Sequence, residues 1–315
     1  MRRGAARVVL GLHRTRPDDT LLDAALTCGV RAIDTAFNYD GFGSHRRLRR
    51  LELIDEFSVS TKVGFFPSPS GGVEHSLDPA RLQRAIETSA TDLGRRPDIV
   101  FLHSPERSLP QQRSPQGGRE ESPAEAREML WAACAVLEQA RADGWCERWG
   151  MACWDPFPVW RCLSGAEGEP RLDVVMTRAG LMAKPQVLDA AEALAQRYDL
   201  PAQARWGMSP FGGDAQHAVW DAIDPRRFVR SPHGDTGGEP RPPRPSGAGS
   251  GVVSRLAAAF RAAFELPSVG RVAVGASSAA HLDELVTAAG LDLDAEEIGR
   301  YRALLRTLTP PAASG

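Results

Sequence analysis

Lysine is nearly missing from this chain. Of 38 basic residues only two are Lys, Lys62 and Lys184, and all the others are Arg. Arginine therefore supplies the generic positive charge, and a lysine marks a place where a planar guanidinium would not serve. Tyrosine is almost as scarce, at Tyr39, Tyr198 and Tyr301. The five cysteines, Cys28, Cys134, Cys146, Cys153 and Cys162, are odd in number and include no C-x-x-C pair. Neither a disulfide framework nor a metal site is expected, and the cysteines read as buried free thiols. Neither sign of charge is in excess: the formal net charge is -2, which leaves no basic face for nucleic acid. No run of 18 apolar residues occurs, so no membrane-spanning helix is expected. The opening "MRRGAARVVLGLHR" has arginines, but its apolar stretch is too short for a signal peptide and no cleavage pattern follows. A cytoplasmic protein, most simply a monomer, is the expectation.

What the chain does have is length and apolar content. Its 315 residues, 42% hydrophobic, can bury one large core. Short β-branched runs alternate with amphipathic stretches. Strands are expected at 7–12, 31–34, 57–63, 98–103, 148–153, 172–177, 204–209 and 271–277. Helices are expected at 18–30, 44–52, 78–94, 123–144, 185–199 and 279–290. Asp residues open the first and third helices, and glycines close them. Eight strand–helix units in about 300 residues imply a parallel sheet closed into a single (β/α)8 TIM barrel over 1–315. Two segments interrupt the pattern. The stretch 104–123 follows the fourth strand on the side where a barrel keeps its active site, so it reads either as a cover for substrate or as a surface insertion. The stretch 231–251 is rich in Pro and Gly, offers nothing to bury, and is expected to be a flexible loop.

Several strands end on a polar residue. The second ends at Asp34, the third reaches Lys62, and the fourth ends at His103; Tyr39 follows the second in "RAIDTAFNYDGFGS". In a parallel barrel, strand ends of one polarity share one face, so these four residues converge. A phenol has a pKa of about 10 and is a poor acid or base at neutral pH. An adjacent ammonium is expected to lower that pKa, a carboxylate holds the ammonium in place, and an imidazole can orient a carbonyl oxygen. His13, Phe37, Phe42, Phe66 and Trp154 lie near strand ends and are candidate pocket walls. They favour a substrate with a ring or hydrocarbon part.

The same stretches carry a family resemblance. "RAIDTAFNYDGFGS", "VSTKVGF" and "DIVFLHSPE" resemble the Asp–Tyr, Lys and His segments of aldo-keto reductases. "GMSPFGG" resembles that family's seventh-strand segment, and "VAVGASSAAHLDEL" its cofactor loop. The resemblance implies a (β/α)8 barrel that reduces the carbonyl of a small molecule with NADPH. Tyr39 would be the proton donor, Asp34 and Lys62 the pair that tunes it, and His103 the orienting imidazole. Ser209, Gly275, Ser277, Ser278 and His281 would face the cofactor, the serines and backbone at the helix start suiting a phosphate.

The chain also departs from the family. Ala152 and Cys153 stand at the Ser-Asn positions that hold the nicotinamide carboxamide, and Met176 at the Gln position. Met208 replaces a stacking ring, His281 a phosphate-binding Arg, Leu285 an adenine-reading Asn, and His13 a Gly. Two other readings stay open. One is a cofactor-independent proton-transfer enzyme (isomerase, dehydratase or cyclase) on the same four residues. The other is a non-catalytic regulatory subunit.

Overall fold

In the computed structural model, the structure describes residues 4–109, 123–163, 168–216, 219–230 and 253–308. The strands in chain order are β1 (Val8–Gly11), β2 (Ala32–Asp34), β3 (Ser58–Val63), β4 (Phe65–Pro67), β5 (Val73–His75), β6 (Ile99–His103), β7 (Arg148–Cys153), β8 (Val174–Arg178), β9 (Arg205–Met208) and β10 (Arg271–Val274). Eight of them form a closed barrel in the order β1-β10-β9-β8-β7-β6-β3-β2, with every pair parallel. β4 and β5 form a separate antiparallel hairpin after β3.

The helices are α1 (Asp19–Cys28), α2 (Ser44–Leu48), α3 (Pro79–Leu93), α4 (Pro123–Ala142), α5 (Phe157–Leu163), α6 (Pro185–Arg197), α7 (Val219–Ala222), α8 (Arg255–Ala262), α9 (Ala279–Ala288) and α10 (Ala295–Leu308). Their ends show why the sequence is punctuated as it is. The Asp18 carboxylate accepts the Leu21 N–H and Asp78 accepts that of Arg81, which starts α1 and α3. Gly29 and Gly94 close them in the left-handed conformation.

Register fixes which side chains fill the barrel. His103 pairs with Ala152, Ala152 with Met176, and Met176 with Trp206, so these share the inner face. The Phe101 and Trp206 rings meet inside at 5.6 Å. Gly150 lets β7 and β8 close up, since a Cβ there would lie 1.9 Å from the Val174 carbonyl oxygen. Outward residues such as Leu10, Ile33 and Val272 pack against Leu22, Leu282 and Leu285 of the surrounding helices, all at most 2% exposed. Each such side chain contributes about 1.5–3 kcal/mol by leaving water.

Three differences from the sequence reading have physical reasons. The expected helix at 44–52 ends at Leu48, because Arg49 and Arg50 give no apolar stripe to bury. The hairpin was hidden in "FFPSPSGGVEH", where Pro, Ser and Gly read as loop; Gly71 and Gly72 make its turn at positive φ. α10 was also missed, although Asp294 caps it by accepting the N–H groups of Glu296 and Glu297. The 231–251 loop lies outside the described residues. So does most of 104–123, of which Pro105–Arg107 form a 3-10 helix. Among the described residues no helix is long and apolar enough to cross a membrane, and no group of His, Cys, Asp and Glu could hold a metal ion.

Candidate active site

Asp34, at the end of β2, turns inward and is 4% exposed. Its Oδ1 accepts from the Ser60 hydroxyl at 2.8 Å, and its Oδ2 pairs with the Lys62 ammonium. Lys62 also donates to the Thr35 carbonyl at 2.9 Å and is itself 2% exposed. Burial alone would lower the lysine pKa, but Asp34 and Tyr39 together hold it above its ordinary value. Lys62 is therefore a fixed cation at neutral pH.

Tyr39 sits on the loop between β2 and α2. The loop is held at its ends by a 2.7 Å hydrogen bond between the Thr35 and Ser44 hydroxyls. Next to Tyr39, Asp40 adopts a left-handed backbone and pairs with Arg16 at 2.9 Å and Arg47 at 2.7 Å. The Lys62 nitrogen lies 5.3 Å from the Tyr39 ring centre, so its positive charge faces the phenol ring. Burial pushes the phenol up, Lys62 pulls it down and Asp34 pushes it up again; the net lies above the ordinary value. The ammonium pulls the phenol down as expected, but desolvation outweighs it. The phenol keeps its proton at neutral pH, as an acid must.

His103 ends β6, with its ring 6.3 Å from that of Tyr39. Its Nδ1 is buried without a partner. Burial, with Lys62 next in order, holds its pKa well below the usual histidine value, so the ring is neutral. The β4–β5 hairpin braces it. His75 Nε2 donates to the His103 carbonyl at 2.8 Å, and His75 Nδ1 accepts from the Ser108 hydroxyl at 2.7 Å. The Phe65 ring stands edge-on to His75 at 4.9 Å and to His103 at 4.7 Å. Gly64, at φ +140, passes so close that a Cβ would lie 2.9 Å from the His103 carbonyl oxygen.

The structure thus brings Asp34, Tyr39, Lys62 and His103 together. Among the pocket candidates, His13 is exposed at the mouth, with its ring 5.1 Å from that of Tyr39. Phe37 and Phe42 are half-buried, with rings 5.5 Å apart. Trp154 is 45% exposed. Phe66 is different: it is 5% exposed and lies under the Arg81 guanidinium of α3, so it serves as packing beneath the hairpin.

On the cofactor side, Ser209 follows β9 with a left-handed backbone, and its hydroxyl is buried without a partner. Gly275, Ser277 and Ser278 are exposed after β10. The Ser278 hydroxyl caps α9 by accepting the His281 N–H at 3.2 Å. Ala152, Cys153 and Met176 are completely buried, and Leu285 is core. The exposed Ser277 and Ser278 at the start of α9 are compatible with a phosphate, while the three counterpart positions offer no strongly polar side chain.

Two residues were missed. Glu106 is 7% exposed; its Oε1 accepts the Trp154 N–H at 2.7 Å, while its Oε2 has no partner. Burial pushes its pKa up to about 7. Arg178 ends β8 with its Nε buried and unpartnered and its guanidinium 5.6 Å over the Trp154 ring. Strand alternation signalled the second, since Arg178 lies two residues beyond the inward Met176. The first stood in the "HSPE" segment, three residues after His103.

Comparison with known proteins puts this geometry in context. The model of the aldo/keto reductase family matches residues 14–178, just over half of the chain. A search of curated proteins finds no match. Solved structures resemble the fold along almost its whole length. An aldo-keto reductase from Bacillus halodurans in its holo form is 16% identical, with 95% of this chain and 91% of that one covered and a TM-score of 0.61. One from Klebsiella pneumoniae in complex with NADPH is 20% identical, with 98% and 92% covered and a TM-score of 0.59. Aldose reductase from Giardia lamblia is 14% identical, with 96% and 92% covered and a TM-score of 0.60.

Proposed function

The chain belongs to the aldo/keto reductase family, and from that premise we propose that it reduces the carbonyl of a small, partly apolar molecule with NADPH, Tyr39 acting as general acid. The observation that carries this reading is the fully buried Asp34–Lys62 pair aimed at the Tyr39 phenol. Taking both charges out of water costs several kcal/mol per ion before pairing offsets it. A barrel needs no such pair for its packing, and a proton donor does.

NADPH, when bound, supplies a hydride to the carbonyl carbon. The chain's own residues do the rest. His103, neutral and with an unshared ring nitrogen, orients the carbonyl oxygen toward the Tyr39 hydroxyl. Tyr39 gives its proton to that oxygen, and Lys62 stabilises the phenolate left behind. Ser209, Ser277, Ser278 and the α9 N-terminus would hold the phosphates; His281, in the first turn of α9, would face the adenosine end. With Ala152, Cys153 and Met176 buried and apolar or weakly polar, the nicotinamide would be held by fewer hydrogen bonds than the family pattern provides.

That last observation also favours a second reading, in which the same four residues transfer protons without a cofactor. One experiment separates the two: titration of the protein with NADPH by fluorescence or calorimetry, followed by addition of an aromatic aldehyde. Binding followed by NADPH oxidation supports the reductase. No binding at millimolar cofactor moves the assignment to cofactor-free proton transfer.

A further inference from the structure

Arg178 is placed as a recognition group. It sits at the end of β8, in register with Met208 of β9 and on the face that carries Met176 into the barrel. Its guanidinium carbon lies over the Trp154 ring, 5.6 Å from the ring centre, and its Nε is buried with no acceptor. Trp154 is itself pinned: its N–H, and that of Asp155 at 3.4 Å, both donate to Glu106 Oε1. The result is a preorganised assembly of buried carboxyl group, aromatic shelf and a guanidinium held over it. A buried donor left unpaired is costly, and the planar guanidinium presents a fork that matches a planar carboxylate.

We infer that Arg178 binds a carboxylate of the substrate, so that the preferred substrates are carbonyl compounds bearing a carboxylate at the end away from the reacting group. The inference takes its reacting carbonyl from the reductase reading above. β8 is two strands round the barrel from β6, which carries His103. At about 4.8 Å per strand the gap is about 10 Å, which one aromatic ring bridges once Arg178 reaches inward. The half-buried Phe37 and Phe42 suit such a ring. A carboxylate fits better than a phosphate because a dianion calls for a second cation. Lys62 is occupied by Asp34, and burial holds His103 and His13 toward neutrality.

The test compares para-carboxybenzaldehyde with para-nitrobenzaldehyde, which is similar in size and neutral. In the NADPH-loaded enzyme, Arg178→Met should raise KM for the carboxylate about 10- to 100-fold, as expected for one charge-assisted pair. It should leave KM for the nitro compound unchanged. Arg178→Gln should behave likewise while keeping a polar, uncharged end, and Arg178→Lys should recover only part of the affinity. A binding arm uses no turnover: para-carboxybenzyl alcohol, titrated by calorimetry without cofactor, should bind the wild type and lose affinity in Arg178→Met. Equal effects on both aldehydes, or no effect on either, overturn the inference. Weaker NADPH binding in Arg178→Met that accounts for both losses also overturns it, by giving the guanidinium to the cofactor. If neither aldehyde is reduced, the reductase reading falls and calorimetry alone decides: Arg178-dependent binding sustains the inference, and absent or Arg178-independent binding ends it.

Discussion

Lys62 presents its ammonium to the face of the Tyr39 ring, with its nitrogen 5.3 Å from the ring centre. Tyr39→Phe keeps the ring and removes only the proton to be given. The fold should survive and kcat should fall by about 10²–10⁴. Because the phenol lies above its usual value, wild-type reduction should stay level through neutral pH and decline only above the ordinary phenol value of about 10. Stopped-flow rates across pH check both statements.

The lysine scarcity gives a paired test. Lys62→Arg should be nearly as harmful to turnover as Lys62→Met, because a planar fork cannot fill the space between Asp34 and the Thr35 carbonyl. Lys62→Met should also destabilise the fold by about 3–5 kcal/mol, by leaving Asp34 buried and unpaired. Lys184, exposed at the start of α6 and capping nothing, should accept Arg silently. Urea unfolding and turnover of the three variants decide the matter.

Gly64→Ala probes the brace behind His103. A side chain at φ +140 is strained, and its Cβ would press on the His103 carbonyl. Destabilisation of about 1–3 kcal/mol is expected. Turnover should fall further than His75→Gln makes it fall, since that variant removes one hydrogen bond and leaves the backbone path intact.

Glu106 carries a pH signature. Its carboxyl titrates near 7 when folded, against an ordinary 4.5. Between those values the folded state binds more protons than the unfolded one, so stability falls as pH rises from about 4.5 to about 7. The full effect is roughly 3 kcal/mol at about 1.4 kcal/mol per unit. Glu106→Gln keeps an acceptor for the Trp154 N–H and cannot ionise. The difference in stability between wild type and variant should move in the variant's favour across that window. A constant difference from pH 4.5 to 8 would contradict the assignment.

Much of this was legible in the sequence, for identifiable reasons. Strand ends at Asp34, Lys62 and His103 are local features, and the closed parallel barrel turns them into neighbours. Caps at Asp18 and Asp78 made helix starts visible. The sign of the Tyr39 shift was not legible, because it depends on how deeply the ring is buried against a single ammonium. Phe66 near a strand end gave no hint that Arg81 of α3 would cover it. Arg178 and Glu106 were passed over because their meaning lies in Trp154, which meets both from just beyond the end of β7.

The central claim is that this mouth delivers hydride and proton to one carbonyl. It is tested most directly with NADPH carrying deuterium at the transferable position and para-nitrobenzaldehyde as acceptor. Mass spectrometry of the alcohol should find one deuterium on the new carbinol carbon with the wild type, and product formation should collapse in Tyr39→Phe. An alcohol formed without deuterium, or equally fast in Tyr39→Phe, would contradict the account.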